Sequence, residues 1–181
     1  FTALAHAASE YGIEQALFDQ LIDGVEMDLT WTRFQTFDEL GTYCYKVASV
    51  VGLICIEVFG YRNLKAKDYA IDLGIAMQLT NILRDVKEDA DRGRIYIPLD
   101  EINSYGYSER ELMDGVVNDA FVNLMRFQAQ RAKGYFRSGF QLLPYLSPRS
   151  RACPAVLGRL YSKILDRIES ADYDVLSNRI G

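Results

Sequence analysis

The stretch AIDLGIAMQLTNILRDVKEDADRGRIY, residues 70–96, constrains the fold more than any other part of the chain. Its first two-thirds contain no proline and carry apolar residues at helical spacing, which predicts one uninterrupted helix. At 3.6 residues per turn, Ala70, Gly74, Gln78, Asn81, Asp85 and Asp89 share one stripe. Ile71, Ile75, Leu79, Ile82, Leu83 and Val86 form the opposite face, the one expected to pack against other helices. The stripe is graded, with small apolar residues first, then an amide pair, then two carboxylates one turn apart. Such carboxylates repel each other unless a positive charge lies between them. Together with the Asn81 oxygen they form a hard ligand set of the kind that holds Mg2+ along with phosphate oxygens.

A solvated acidic helix end gives the same aspartate pair, so the pair alone does not decide. Three neighbouring features favour a site. Gln78 and Asn81 continue the stripe where a solvated face more often shows Lys or Glu. Gly74, which costs a helix about 1 kcal/mol against alanine, leaves a groove beside Ala70 instead of filling it. Arg92, Arg94 and Tyr96 then place donors just beyond the carboxylates. The rise from Ala70 to Asp85 is about 22 Å, which suits a ligand with a long hydrocarbon tail and an anionic, metal-bound head.

The segment LGIAMQLTNILRDVKEDADRGRIYIP (73–98) resembles the second aspartate-rich signature of the squalene/phytoene synthase family, whose members join two prenyl diphosphates head to head. YCYKVASVVGL (43–53) is similar to that family's preceding signature helix. IDGVEMDL (22–29) and LYSKILDRIE (160–169) extend the likeness over nearly the whole chain. The resemblance implies an all-α, isoprenoid synthase-type helical bundle around a central apolar cavity, with Mg2+ as cofactor and prenyl diphosphates as substrates. It makes Asn81, Asp85 and Asp89 the metal ligands, Arg84 and Arg94 the phosphate-holding cations, and Gln78 and Tyr96 supporting hydrogen-bond partners. Val47, Val50, Val51, Gly52, Ala70 and Gly74 become wall residues of a cavity that shields a carbocation from water. Tyr43 and Tyr161 match cavity-facing tyrosines that steady the cation with their ring faces or assist proton transfer, catalytic beside Asp85 and Asp89. Asp28 matches another cavity-facing residue of the family. By periodicity alone Tyr161, among Leu157, Leu160, Ile164 and Leu165, is a core residue.

Within the family, CIEVFGY (55–61) and the ending YDVLSNRI (173–180) are most similar to bacterial presqualene diphosphate synthases of hopanoid pathways, which use farnesyl diphosphate. Phytoene synthase, which uses geranylgeranyl diphosphate in carotenoid biosynthesis, is the alternative. A non-catalytic, synthase-like assembly factor is a further one. A head-to-tail prenyltransferase is disfavoured because no DDxxD occurs, and no nicotinamide-binding fingerprint is present. Family members carry two aspartate-rich motifs and this sequence shows one. The expectation is a single all-α domain over 1–181 that forms the C-terminal portion of a synthase, with the N-terminal helices missing, and that is inactive alone.

Composition narrows the partners. Nearly half of the residues are apolar and only 4 are proline, which favours a helical core. A net charge of -5 without a Lys/Arg stripe argues against nucleic acid. His6 is the single histidine and lies in the N-terminal segment, far from the signatures. Cys44, Cys55 and Cys153 lack metal-ligand spacing and read as buried free thiols in a reducing compartment. The most apolar run, 47–59, is too short to span a bilayer and contains Glu57. The resemblance implies a cytoplasmic enzyme with peripheral contact at the inner membrane. Helices are expected over 14–29, over 37–59 with Thr36 and Glu39 as a capping box, from Ser108, and over 118–143 with Arg126, Arg131, Lys133 and Arg137 on a solvated face. A polar connector follows Pro98, and a last helix runs from Pro148 to about residue 171, kinked at Pro154.

Overall fold

A computed structural model describes residues 2–177, so the tail of the ending YDVLSNRI, 178–180, lies outside the described residues. The described residues are helical, with no strand and two isolated bridges, Arg33–Ile95 and Tyr61–Leu146. α1 (Thr2–Glu10) has no buried residue, and α2 (Gln15–Thr30) follows it. α3 (Phe37–Cys44), a π turn (Tyr45–Ser49) and α4 (Val50–Phe59) run on as one rod. α5 (Lys65–Arg84) and the short α6 (Val86–Asp91) lead to α7 (Leu99–Ser104) and α8 (Glu109–Met113). The long α9 (Asp119–Gly139), a 3-10 turn (Phe140–Tyr145) and α10 (Ala152–Ser170) complete the bundle.

α5 is the axis, flanked by α9 on one side and by the π turn, α4 and α10 on the others. Leu73, Ile75, Leu79, Ile82 and Leu83 are buried on it, each contributing about 1.5–3 kcal/mol by withdrawal from water. Two glycines let the neighbouring backbones close in. A Cβ at Gly74 would lie 2.7 Å from the Ser49 Cα, and one at Gly139 would lie 2.7 Å from the Leu73 Cα.

The starts of the helices follow their side-chain chemistry. Thr36 accepts the Glu39 N–H, although the Glu39 carboxylate accepts from Gln35 N–H, one residue earlier than a capping box requires. Ser108 and Glu111 form a full capping box, and Asn118 caps α9 through Phe121 N–H at 2.9 Å.

Further expectations need correction. The 37–59 rod is not a regular helix, because Val50 N–H donates five residues back to the Tyr45 carbonyl. That widened turn lets Ser49 Oγ donate to the Ile71 carbonyl at 2.8 Å where α5 presses closest. The helix through 70–87 breaks at Asp85, whose φ of -101° and ψ of 13° lie outside the helical region. The connector after Pro98 holds α7, with acidic residues Asp100 and Glu101 in its first turn. α10 begins at Ala152, so Pro154 occupies its first turn, where no N–H is required, and causes no kink. The basic face of α9 is not merely solvated. Arg131 pairs with Glu101 at 2.5 Å and lies 3.8 Å over the Phe37 ring, and Lys133 pairs with Glu169. The rod Phe37–Phe59 is also longer than the apolar run read from sequence. By length and composition its 23 residues could cross a membrane, yet it packs against α2 and α5.

Candidate active site

α5 delivers Gln78, Asn81, Arg84 and Asp85 to one end of the bundle. The i,i+4 register survives the break, since Asp85 N–H donates to Asn81 and Asp89 N–H to Asp85, both at 2.9 Å. α6 then stops in a Schellman turn. Gly93, at φ +74°, donates to the Ala90 carbonyl, and Arg94 N–H donates to the Asp89 carbonyl at 2.8 Å. The turn folds Arg94 back beside Asp89. The returning segment is zipped to the 31–36 linker by Ile95 N–H to Thr32 and Leu99 N–H to Phe34, both at 2.9 Å. That zip sets Tyr96 against the end of α2.

Tyr43, Gln78, Asn81, Ile82, Arg84, Asp85, Asp89 and Tyr96 line one polar cavity of about 240 Å³. Arg84 donates to Asp85 through Nε at 2.7 Å and Nη2 at 2.5 Å, a bidentate pair between adjacent residues. Asp89 is pushed up to about 6, first by burial and then by the Asp85 charge, with Arg92 and Arg94 pulling the other way. Asn81 Nδ2 leans on Gln78 Oε1 at 3.4 Å, which leaves its carbonyl oxygen for another partner. Among the described residues no three His, Cys, Asp or Glu side chains converge; the donor set is two carboxylates and an amide. Two carboxylates, one of them braced by Arg84, beside a hard amide oxygen fit Mg2+.

Asp28 is the residue whose importance sequence spacing understates. Tyr96 Oη donates to Asp28 Oδ1 at 2.9 Å, and Arg94 Nη2 donates to the Asp28 carbonyl at 2.7 Å. The Tyr43 ring lies 5.4 Å from both Tyr96 and Phe34, and Tyr96 stacks on Phe34 at 5.5 Å. Burial above all, then the charges of Tyr96 and Asp28, hold the Tyr43 hydroxyl well above the usual phenol range. A neutral, buried aromatic cluster thus forms one wall of the charged cavity. Phe34 gave no sequence signal, because a single aromatic in a linker has no periodicity.

The second cavity, about 150 Å³ and almost wholly apolar, lies farther back along α5. Val51, Gly52, Ala70 and Gly74 line it as expected, joined by Cys55, Met77, Leu142 and Leu157. Val47 and Val50 do not line it. The π turn rotates Val47 toward Gly24 of α2, while Val50 is fully buried in the core. Tyr161 lines neither cavity; it is partly buried beside α5, near enough to Arg84 to share its electrostatics. Of its expected core neighbours, Leu165 is buried and Ile164 packs on the core as Tyr161 does, while Leu157 and Leu160 are 42% and 53% exposed.

Residues 1–180 match the family described as squalene/phytoene synthase. The phytoene synthase of Arthrospira platensis is 41% identical over 190 residues, covering 98% of this chain and 62% of its own length. The phytoene synthase of Mycobacterium tuberculosis is 40% identical over 181 residues, covering 98% and 60%. The chain thus spans about six-tenths of the length of these curated relatives. Among solved structures, the squalene synthase HpnC of Alicyclobacillus acidocaldarius superposes with a TM-score of 0.92 at 22% identity, over 95% of this chain and 65% of that one. A dehydrosqualene synthase superposes with a TM-score of 0.89 at 28% identity, over 99% and 64%.

Proposed function

The chain belongs to the squalene/phytoene synthase family, and on that premise we propose that it carries the diphosphate-binding half of a head-to-head prenyl diphosphate condensing site. One observation carries the reading. A single stripe of α5, carried on by α6, passes from an apolar cavity at Ala70 and Gly74 to a carboxylate-rich polar cavity at Asn81, Asp85 and Asp89.

The chemistry asks for such a gradient. The allylic C–O bond breaks with its electron pair leaving on diphosphate, the double bond of a second prenyl chain attacks the cation, and the new cation so formed is discharged by loss of a proton. Asn81, Asp85 and Asp89 would hold Mg2+. Bound there, the metal neutralises charge that accumulates on the leaving diphosphate. Arg84 turns from Asp85 toward phosphate oxygens, and Arg94 approaches from the Schellman turn, a second fixed positive charge. Gln78 donates through its amide at the rim, and Tyr96, whose hydroxyl proton goes to Asp28, ties the end of α2 to that rim. The Tyr43 ring offers its face to a developing cation. Val51, Gly52, Ala70, Gly74 and Met77 exclude water around the hydrocarbon tail. Tyr161 acts through Arg84, as a support for its guanidinium.

The names of the curated relatives support a phytoene-type, C20 substrate over the presqualene reading, which reverses the order that the two short motifs suggested. The proposed setting is the cytoplasmic face of a membrane, where such lipids partition. The test incubates protein expressed from the whole reading frame with Mg2+ and geranylgeranyl or farnesyl diphosphate, with Asp85→Ala as control. We expect condensed product that falls by at least about 100-fold in the control, as loss of a key electrostatic group does; its carbon number identifies the substrate. Equal turnover by Asp85→Ala would remove the metal site from the proposal.

A further inference from the structure

Two thiols take no part in the chemistry above. Only Cys44 is buried as the sequence suggested; Cys55 on α4 is partly exposed and Cys153, in the first turn of α10, is exposed. Both line the same apolar cavity from opposite helices. The two helices are pinned together at that corner. Ser150 Oγ donates to the Phe59 carbonyl at 3.0 Å, Arg62 N–H donates to the Tyr145 carbonyl at 3.1 Å, and Tyr61 bridges to Leu146. Phe59 lies one turn beyond Cys55, and Ser150 three residues before Cys153, so the pin holds the two thiol-bearing turns against one another. Burial, and after it the neighbouring Cys153 thiol, push the Cys55 thiol above its ordinary range. Cys55 is therefore protonated and slow to react alone, while Cys153 is open to reagents from solvent.

We propose that Cys55 and Cys153 are a peroxide-sensitive dithiol that closes to a disulfide between α4 and α10 at the mouth of the apolar cavity. The Cys153 sulfur attacks a peroxide oxygen; the O–O bond breaks, giving a sulfenic acid, and the departing hydroxide takes the thiol proton as water. The Cys55 sulfur then attacks the sulfenic sulfur; the S–O bond breaks and the second hydroxide leaves as water with the Cys55 proton. Two thiols lose two electrons and two protons in all, and one peroxide becomes two waters. The link braces α4 against α10 beside Val51 and Leu157, which fixes the width of the opening through which a hydrocarbon chain passes. The pair rests on the cavity geometry and the pin between the helices; its oxidation is separate from the condensing chemistry, while its effect on a hydrocarbon chain rests on the proposed function.

The test treats the reduced 181-residue chain with hydrogen peroxide, then alkylates it with N-ethylmaleimide before and after denaturation. We expect an intact chain two hydrogens lighter, with Cys44 as the one thiol still alkylated after denaturation. Proteolysis should yield a linked pair of peptides carrying Cys55 and Cys153, and dithiothreitol should restore all three thiols. Cys153→Ser, a change at an exposed position, should leave both remaining thiols alkylatable after the same treatment. Full alkylation of Cys55 in the oxidised wild-type chain, or a link that involves Cys44 or a second molecule, would overturn the proposal.

Discussion

In its N-terminal half α5 presents Ala70 and Gly74, both buried, to the backbones of α4 and the π turn. In its C-terminal half the same stripe presents Gln78, Asn81 and Asp85, all partly exposed, to an open polar cavity. The first half is packed backbone to backbone where Gly74 meets Ser49, and beside that contact it opens only onto the apolar cavity. The second is left electrostatically incomplete, with Asp89 held above its ordinary range by burial and by Asp85. Stability and ligand affinity are therefore drawn from opposite ends of one helix, and substitutions at the two ends should separate them.

The largest effect is expected at the packed end. Gly74→Ala puts a Cβ 2.7–2.9 Å from Ser49 Cα, Ser49 N and Ala48 C, all backbone atoms that no rotamer change can move. Overpacking of this kind should cost about 3 kcal/mol, outweighing the alanine's better helix propensity. A urea midpoint left where it was would mean that the π turn can retreat from α5 without loss.

At the incomplete end the sign reverses. The Asp89 carboxyl has a folded value of about 6 against an ordinary 3.8, so its stabilising contribution is full below the ordinary value and is lost as pH rises through about 6. Asp89→Asn should raise stability at pH 7 by about 1.5 kcal/mol, roughly half the full linkage value because the side chain is only partly withdrawn from water. It should also flatten the stability profile between pH 4 and about 6 and abolish the Mg2+-dependent rise in melting temperature expected of the parent. Melting curves across pH, with and without Mg2+, measure both; a less stable variant at pH 7 would show that Asp89 has a partner in the folded protein strong enough to offset its burial.

The smallest effect belongs to the turn that joins the two aspects. Gly93→Ala meets nothing within 4 Å but must hold φ near +74°, a strain of about 1 kcal/mol. Because Arg94 follows directly, pyrophosphate affinity in a calorimetric titration should fall along with the melting temperature. A loss of stability with unchanged affinity would detach Arg94 from the anion site.

The sequence was readable where local chemistry decides. Thr36, Ser108 and Asn118 announced their helices because a side-chain oxygen at each reaches a free N–H. The stripe of α5 was readable because its register depends on 3.6 residues per turn and survives the break at Asp85. What local pattern could not express was contact between distant segments. The π turn answers to Gly74, 25 residues beyond Ser49 in sequence, through a backbone approach that leaves no trace in the composition of 45–49. Asp28 was marked only by the family resemblance, because no local pattern announces the zip between 31–36 and 95–99 that carries Tyr96 onto it. Arg131 looked solvated because its partners, Glu101 and Phe37, belong to other elements.

The π turn also has a consequence for how such a molecule can vary. One extra residue in a turn advances everything after it by about 100° around the rod. Residues up to Tyr43 keep the angular phase set by the aromatic cluster, while Val51, Gly52 and Cys55 keep another, set by the apolar cavity. The rod behaves as two surfaces clocked independently on one spindle. The apolar cavity can be widened or narrowed from α4 while the ring of Tyr43 stays in its place.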